Sequence, residues 1–215
     1  MKLKITKKLL IYTSLLITLI LITLSGTIMS QVNEPKYKLI SSEENIEIRE
    51  YSPILVAQIS VTGERKSAIS VGFRILADYI FGNNEGRQKI SMRALVEQQE
   101  GEKISMTAPV IQQESKDNLH WNVRFVMPSE YTMETLPRPK NNQIEIIPIS
   151  SKRYAVIRFS GLARENILQR NLDALQQYIG SKKLPGVGKP VYAFYNPPWT
   201  LPFLRRNEIM IEIRV

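Results

Sequence analysis

The sequence contains no cysteine and only one histidine, His120, among its 215 residues. Without cysteine the chain has no thiol nucleophile, no disulfide, no zinc thiolate and no thioether attachment for a prosthetic group. The single histidine lies at the end of a polar run, which argues against a Ser/His catalytic pair. These absences predict a protein that is not an enzyme.

A basic segment interleaved with aromatic residues is also lacking. The formal charge is +9, from 29 basic and 20 acidic residues, but four of the basic residues are lysines that precede residue 9. The remaining 25 basic residues are mixed with the 20 acidic ones. A groove that follows a phosphate backbone needs clustered cations and stacking rings. We therefore do not expect nucleic acid as a partner.

The segment Leu9–Met29 carries no charged residue over 21 positions. A helix of that length matches a hydrocarbon core of about 30 Å. Lysines precede this segment and the first acidic residue is Glu34, so the positive-inside rule predicts a cytosolic N-terminus. We predict a transmembrane anchor or signal segment over residues 1–29, a linker over 30–36, and a folded domain on the non-cytosolic side of a membrane.

Cleavage of the N-terminal segment is the alternative to a permanent anchor. A signal peptide has a shorter apolar region and ends in an Ala-x-Ala-like site. The best candidates here, Ser25-Gly26-Thr27 and Thr23-Leu24-Ser25, match that pattern poorly. The sequence therefore favours an uncleaved anchor, with a periplasmic or secreted protein as the outcome if residues 1–29 are removed.

Two segments of the chain, residues 45–127 and 143–215, resemble each other. Asn45–Ile48 is echoed by Gln143–Ile146 at an offset of 98, and later matches follow at an offset of 88. In each half the residue pattern predicts two strands, then one helix that ends at a glycine, and then two further strands. The helices are expected at about 67–81 and 164–179. Strand pairs at hairpin spacing around one helix predict an antiparallel α+β fold.

Seven segments, in order, resemble the SOUL haem-binding family. They are Ile48–Pro53 (IREYSP), Gly72–Gly82 (GFRILADYIFG), Lys103–Val110 (KISMTAPV), Phe125–Pro128 (FVMP), Tyr154–Gly161 (YAVIRFSG), Tyr195–Pro198 (YNPP) and Arg205–Glu208 (RRNE). The resemblance covers about residues 37–215. It implies a distorted antiparallel β-barrel of two repeated strand-helix-strand halves, flanked by two helices. It also implies non-covalent binding of haem or another tetrapyrrole, without catalysis.

The first helix carries more apolar surface than one sheet contact needs. Besides its core face, it has a second stripe made by Val71, Ile75 and Tyr79. Either the long 83–102 loop covers this stripe, or the stripe forms a wall of a ligand pocket, as the resemblance implies. Arg74 could pair there with a carboxylate, and Met106 lies in the KISMTAPV motif. We name these five residues as candidate ligand contacts.

Axial ligation of haem iron has no strong candidate in the sequence. His120 stands before a predicted strand and far from the first helix, which is typical of a surface residue. Tyr79 could ligate iron through its phenolate, although packing is its usual role. Two further functions stay open: a binding module for other apolar small molecules, and a protein-interaction module that uses the apolar stripe.

Overall fold

The computed structural model describes residues 12–14, 33–86 and 101–214 of the chain. It divides into two units, Met1–Val32 and Asn33–Val215. In the first unit, residues 12–14 are helical and exposed. The rest of the predicted anchor lies outside the described residues. Within the described ranges, no helix has both the length and the apolar character needed to cross a bilayer.

Nine antiparallel strands form one curled sheet in the second unit. Their order across the sheet is β1-β2-β9-β11-β10-β5-β6-β3-β8, and β4 and β7 make a separate small pair. The strands are β1 (Tyr37–Glu43), β2 (Ile46–Tyr51), β3 (Ile54–Thr62), β4 (Asn84–Glu85), β5 (Val110–Glu114), β6 (His120–Val126), β7 (Arg138–Pro139), β8 (Glu145–Ile149), β9 (Lys152–Phe159), β10 (Gly186–Phe194) and β11 (Asn207–Ile213). Strands β1 and β8 are the two edges of this half-barrel.

Two helices cover the convex face of the sheet, one from each half of the repeat. Helix α1 (Arg65–Ile80) follows β3, and helix α2 (Glu165–Ser181) follows β9. Both lie within two residues of the predicted positions, because their apolar residues recur at helical spacing. The predicted α+β class with two repeated halves is thus confirmed.

The two halves exchange their strands. The predicted pair of β2 and β3 does not form a hairpin, because β2 pairs with β1 and β9, whereas β3 pairs with β6 and β8. Each half therefore completes the other half's sheet. The alternation of side chains gives the face on which each residue lies, but it does not identify the neighbouring strand.

Three apolar clusters fill the domain. One lies beneath α2 and contains Ile48, Ile157 and Leu175, and a second lies beneath α1 and contains Ile59, Leu76 and Val123. The third lies on the opposite, concave face. Its buried members are Val56, Ile111, Val126, Val156, Val191, Ala193 and Met210. Since successive side chains of a strand point to opposite faces, these strands are apolar on both sides.

Gly72 lets α1 approach the sheet closely, whereas Gly180 in α2 has open space around it. Substituting each glycine in turn therefore tests this close approach. A methyl group built on Gly72 would lie 2.7 Å from Cγ2 of Val123, whereas nothing lies within 4 Å at Gly180 in α2. We expect Gly72→Ala to lower the free energy of unfolding by about 1–3 kcal/mol. Gly180→Ala should raise it by up to about 1 kcal/mol, because alanine favours the helix. Urea denaturation of both variants measures this, and equal effects would contradict the close contact.

Candidate functional site

The predicted ligand contacts on α1 differ in how far solvent reaches them. Val71 and Ile75 are half-buried on one flank of the helix, and Arg74 beside them is exposed. Tyr79 is only 1% exposed, and its hydroxyl donates a hydrogen bond of 2.8 Å to the carbonyl of Pro137. In this conformation a ligand outside the domain does not reach the Tyr79 ring. The α1 site therefore consists of the Val71–Ile75 flank, and its role in binding stays a prediction.

Met106 lies in the segment that passes the C-terminal end of α1. The Ile104 amide donates to the carbonyl of Ile80 at 2.8 Å, which fixes this segment against the helix, and Met106 is exposed. Two aromatic residues of the helix region are also exposed, Phe73 and, at 63%, Phe81. The ring of Phe73 contacts the ring of Phe125 edge-to-face, at 5.3 Å between centroids. Residues 87–100, most of the loop that one of the two alternatives placed over the apolar stripe, lie outside the described residues.

His120, the other candidate metal ligand, lies at the start of β6 with a partly exposed side chain. Its Nδ1 is 3.1 Å from Oδ2 of Asp117. Hydrogen bonds from the Ser115 side chain and the Leu119 amide, with a smaller contribution from His120, lower the pKa of Asp117 to about 2. His120 thus belongs to a polar turn far from α1 in sequence. Across residues 33–86 and 101–214, no group of three or more acidic or histidine side chains could hold a metal ion.

A groove on the concave face was not predicted from the sequence. Residues from both halves of the repeat line its apolar end: Tyr51, Ile54, Pro109, Ile111, Arg124, Ile149, Lys152, Tyr154, Val191, Tyr195 and Met210. Towards its polar end the groove continues past Gln58, Gln113, Glu114, Asn122, Lys189 and Glu212. The signal in the sequence was the apolar character of both faces of β3, β9 and β11, which exceeds what two helices on one face can cover.

Arg124 supplies a guanidinium to the groove without a carboxylate beside it. Its Nε donates to Oε1 of Gln58 at 2.6 Å, and its Nη1 donates to Oε1 of Gln113 at 3.0 Å. Burial lowers the pKa of Arg124, and the nearby Tyr154 partly opposes this change. In contrast, Lys152 is paired with Glu212 at 2.6 Å.

A buried ion cluster stands at the apolar end of the groove. Arg49 is 1% exposed and Glu208 is 0% exposed, and two parallel hydrogen bonds of 2.9 and 3.1 Å join their side chains. Arg49 also donates to Glu47 at 2.6 Å and to the Tyr51 hydroxyl at 3.0 Å. The Tyr195 hydroxyl donates to Glu208 at 2.7 Å. The cluster thereby fixes two of the rings that line the groove.

The protonation states of this cluster follow from its burial and its partners. Burial works to raise the pKa of Glu208, but hydrogen bonds and the charge of Arg49 outweigh it and hold this pKa below its ordinary value. Burial raises the pKa of Tyr51 to about 12 and that of Tyr195 well above its ordinary value. At neutral pH the carboxylate is therefore ionised and both phenols are neutral.

The curled antiparallel sheet, with one helix from each half of the repeat and apolar clusters on both faces, defines a small two-repeat α+β domain. The family model described as "SOUL heme-binding protein" matches residues 32–99 and 94–212 of this chain. The chain belongs to this family, as its sequence motifs had indicated, and the family as a whole is associated with haem binding. No curated protein matches the chain.

Several solved structures share the fold at low sequence identity. The C-terminal domain of EcmrR has a TM-score of 0.58 at 11% identity, covering 83% of this chain and 98% of that domain. EcmrR in a complex with DNA has a TM-score of 0.54 at 12% identity, covering 99% and 69%. A hydrolase encoded by lin2189 from Listeria innocua has a TM-score of 0.51 at 11% identity, covering 81% and 94%. At such identities the likeness shows the fold alone.

The ion cluster gives a stability prediction with a matched control. Arg206 also pairs with Glu208, its Nε lying 2.9 Å from Oε1 of the carboxylate. Glu208→Gln leaves Arg49 and Arg206 without their buried counter-charge, so we expect a loss of about 3–5 kcal/mol in the free energy of unfolding. Glu212→Gln removes only a partly exposed pair with Lys152 and should cost less than about 1 kcal/mol. Denaturant titrations compare the two variants.

The same cluster predicts a pH dependence of stability. The folded-state pKa of Glu208 is lowered, so its stabilising contribution is present above the ordinary glutamate pKa of 4.5 and is lost as the pH falls through the folded-state pKa. The difference in stability between wild type and Glu208→Gln should therefore shrink below about pH 4. A difference that stays constant down to pH 2 would contradict this assignment.

Proposed function

We propose that this protein binds haem or a related tetrapyrrole non-covalently, in haem carriage or buffering, and that it is not an enzyme. The observation that carries this proposal is the family match, which extends over residues 32–212 without leaving out either half of the repeat. The absence of cysteine from the sequence supports a non-covalent mode of binding. The proposal assigns no axial ligand to the iron.

The Val71–Ile75 flank of α1 is the wall that we propose for the macrocycle. Both residues are half-buried, so the helix already positions them while part of each side chain stays available. Covering about 300 Å² of apolar surface would contribute roughly 7 kcal/mol before the costs of association. Exposed Arg74 stands beside this flank, where its guanidinium suits a propionate carboxylate. Met106 contributes a flexible apolar side chain near the end of the helix.

We further propose that residues 9–29 anchor the protein in a membrane, with the domain on the non-cytosolic side. The support is the uncharged 21-residue segment and the lysines that precede it. A contact within the domain agrees with this arrangement. Glu34 accepts hydrogen bonds of 2.9 and 3.1 Å from Arg206, so the start of the domain lies close to the loop that carries Trp199 and Phe203. Trp199 is 73% exposed, as suits a residue at a membrane interface.

A haemin titration tests the first proposal. The full chain should develop a shifted Soret band that saturates, and Ile75→Asp should weaken binding by about tenfold or more, because it places a charge on the apolar wall. Ala174→Asp is the matched control, since Ala174 is exposed on α2 in the other half of the repeat. Saturable binding that Ile75→Asp leaves unchanged would exclude the α1 flank, and a lack of saturable binding would exclude the function.

Membrane fractionation tests the second proposal. The full chain should stay with the membranes after alkaline extraction, and the double variant Leu16→Lys, Leu19→Lys should be released, since each buried lysine costs about 2.5–3.5 kcal/mol. In a Trp121→Phe background Trp199 is the one remaining tryptophan, because the chain has two. Brominated lipids should then quench its emission. A full chain recovered in the soluble fraction would contradict the anchor.

A further inference from the structure

We infer that the concave groove is a second ligand site, which takes a small molecule with a carboxylate at one end of an apolar body. This inference goes beyond haem binding, because the groove and α1 lie on opposite faces of the sheet. Val123 of β6 packs towards α1, whereas its sequence neighbour Arg124 lines the groove. The two sites can therefore be occupied independently.

The apolar end of the groove suits the body of such a ligand. Aliphatic side chains from strands of both halves make its floor, among them Ile111, Val191 and Met210. The rings of Tyr51 and Tyr195 stand at one end, and their hydroxyls are hydrogen-bonded to Arg49 and Glu208. Rings that are already fixed lose little conformational entropy when a ligand packs against them.

Arg124 is the group that selects a carboxylate. Arg49, on the same face, has a carboxylate partner on both sides of its guanidinium, whereas Arg124 bonds only to the neutral amide oxygens of Gln58 and Gln113. In the part of the chain that the structure describes, Arg124 forms no ion pair. A half-buried guanidinium without a counter-charge is costly, and an incoming carboxylate removes that cost through charge-assisted hydrogen bonds.

Tyr154 adds a second donor next to this guanidinium. Its ring lines both ends of the groove, and its hydroxyl has no hydrogen-bond partner among residues 33–86 and 101–214. Burial raises the pKa of Tyr154 to about 12, so this hydroxyl keeps its proton at neutral pH. A guanidinium and a phenol facing one space form a donor set that a carboxylate can accept from.

The charges around the groove favour an anion over a cation. Lys152 is paired with Glu212, and Lys189 with Glu114, so these four residues balance each other. The positive charge of Arg124 is then left unbalanced, and Lys116 adds a further positive charge at the polar end. A cationic ligand would meet this excess without a free carboxylate to receive it.

The test compares 2-naphthoate with its neutral isostere 2-naphthamide on the full chain in phosphatidylcholine nanodiscs, with empty nanodiscs as the blank. Isothermal titration should give saturable binding of the carboxylate that is about tenfold tighter than binding of the amide. Arg124→Met should reduce the naphthoate affinity to that of the amide, and Arg124→Lys should restore part of it. Arg158→Met is the matched control, because exposed Arg158 lies on the same strand as Tyr154 but outside the groove.

If Arg124→Met fails to fold, a variant that fills the groove provides a second test of binding there. Ile149→Trp on edge strand β8 narrows the groove without changing its charge, and it should abolish naphthoate binding. Equal affinities for acid and amide, an unchanged affinity in Arg124→Met or in Ile149→Trp, or no saturable binding would each overturn the inference.

Haemin added to the same samples separates this inference from the proposed function. Ile75→Asp should leave naphthoate binding intact while it weakens haemin binding. Naphthoate binding in a chain that does not bind haemin would support the groove and contradict haem binding. Displacement of naphthoate by haemin, with dependence of both on Arg124, would mean one shared site and would overturn the claim of a second one.

Discussion

The buried pair of Arg49 and Glu208 organises the concave face of this domain. It joins β2 to β11 across the intervening strand β9, and it fixes the hydroxyls of Tyr51 and Tyr195 at one end of the groove. A buried ion pair contributes little net stability compared with apolar packing, but the loss of one partner is costly. The pair matters here because it positions the strands and the tyrosine rings at this end of the groove. Arg206 extends the network from Glu208 to Glu34, so the first residues of the domain depend on the same cluster.

The exchange of strands between the halves explains why the ligand surfaces lie where they do. Because β2 pairs with β9 and β3 pairs with β8, the concave groove is built from residues of both halves. Each helix, in contrast, packs mainly on strands of its own half. The α1 flank therefore consists of residues from the first half alone. The internal repeat thus generates one shared surface and two local ones, and sequence divergence between the halves has made the local surfaces different.

The helices, the repeat and the fold class could be predicted from the sequence, because helical spacing and ordered matches between the halves are local signals. Strand partners could not, since alternation gives the face of a residue but no neighbour. Strand β1 was missed because it is an edge strand whose seven residues are all exposed, so no buried face marks it in the sequence. Tyr79 was placed on an exposed stripe because the sequence does not show the carbonyl of Pro137 that its hydroxyl reaches. The groove was missed because its lining is dispersed over eight strands.

Strand exchange also has a consequence for how the domain is made. When β3 leaves the ribosome, its partner β8 has yet to be translated, and about 80 residues separate the two. At cellular elongation rates that gap lasts on the order of ten seconds. During this interval the edge of β3 that pairs with β8 stays open, because β6 covers only the other edge. A chain that terminates before β8 therefore leaves this edge of β3 unpaired.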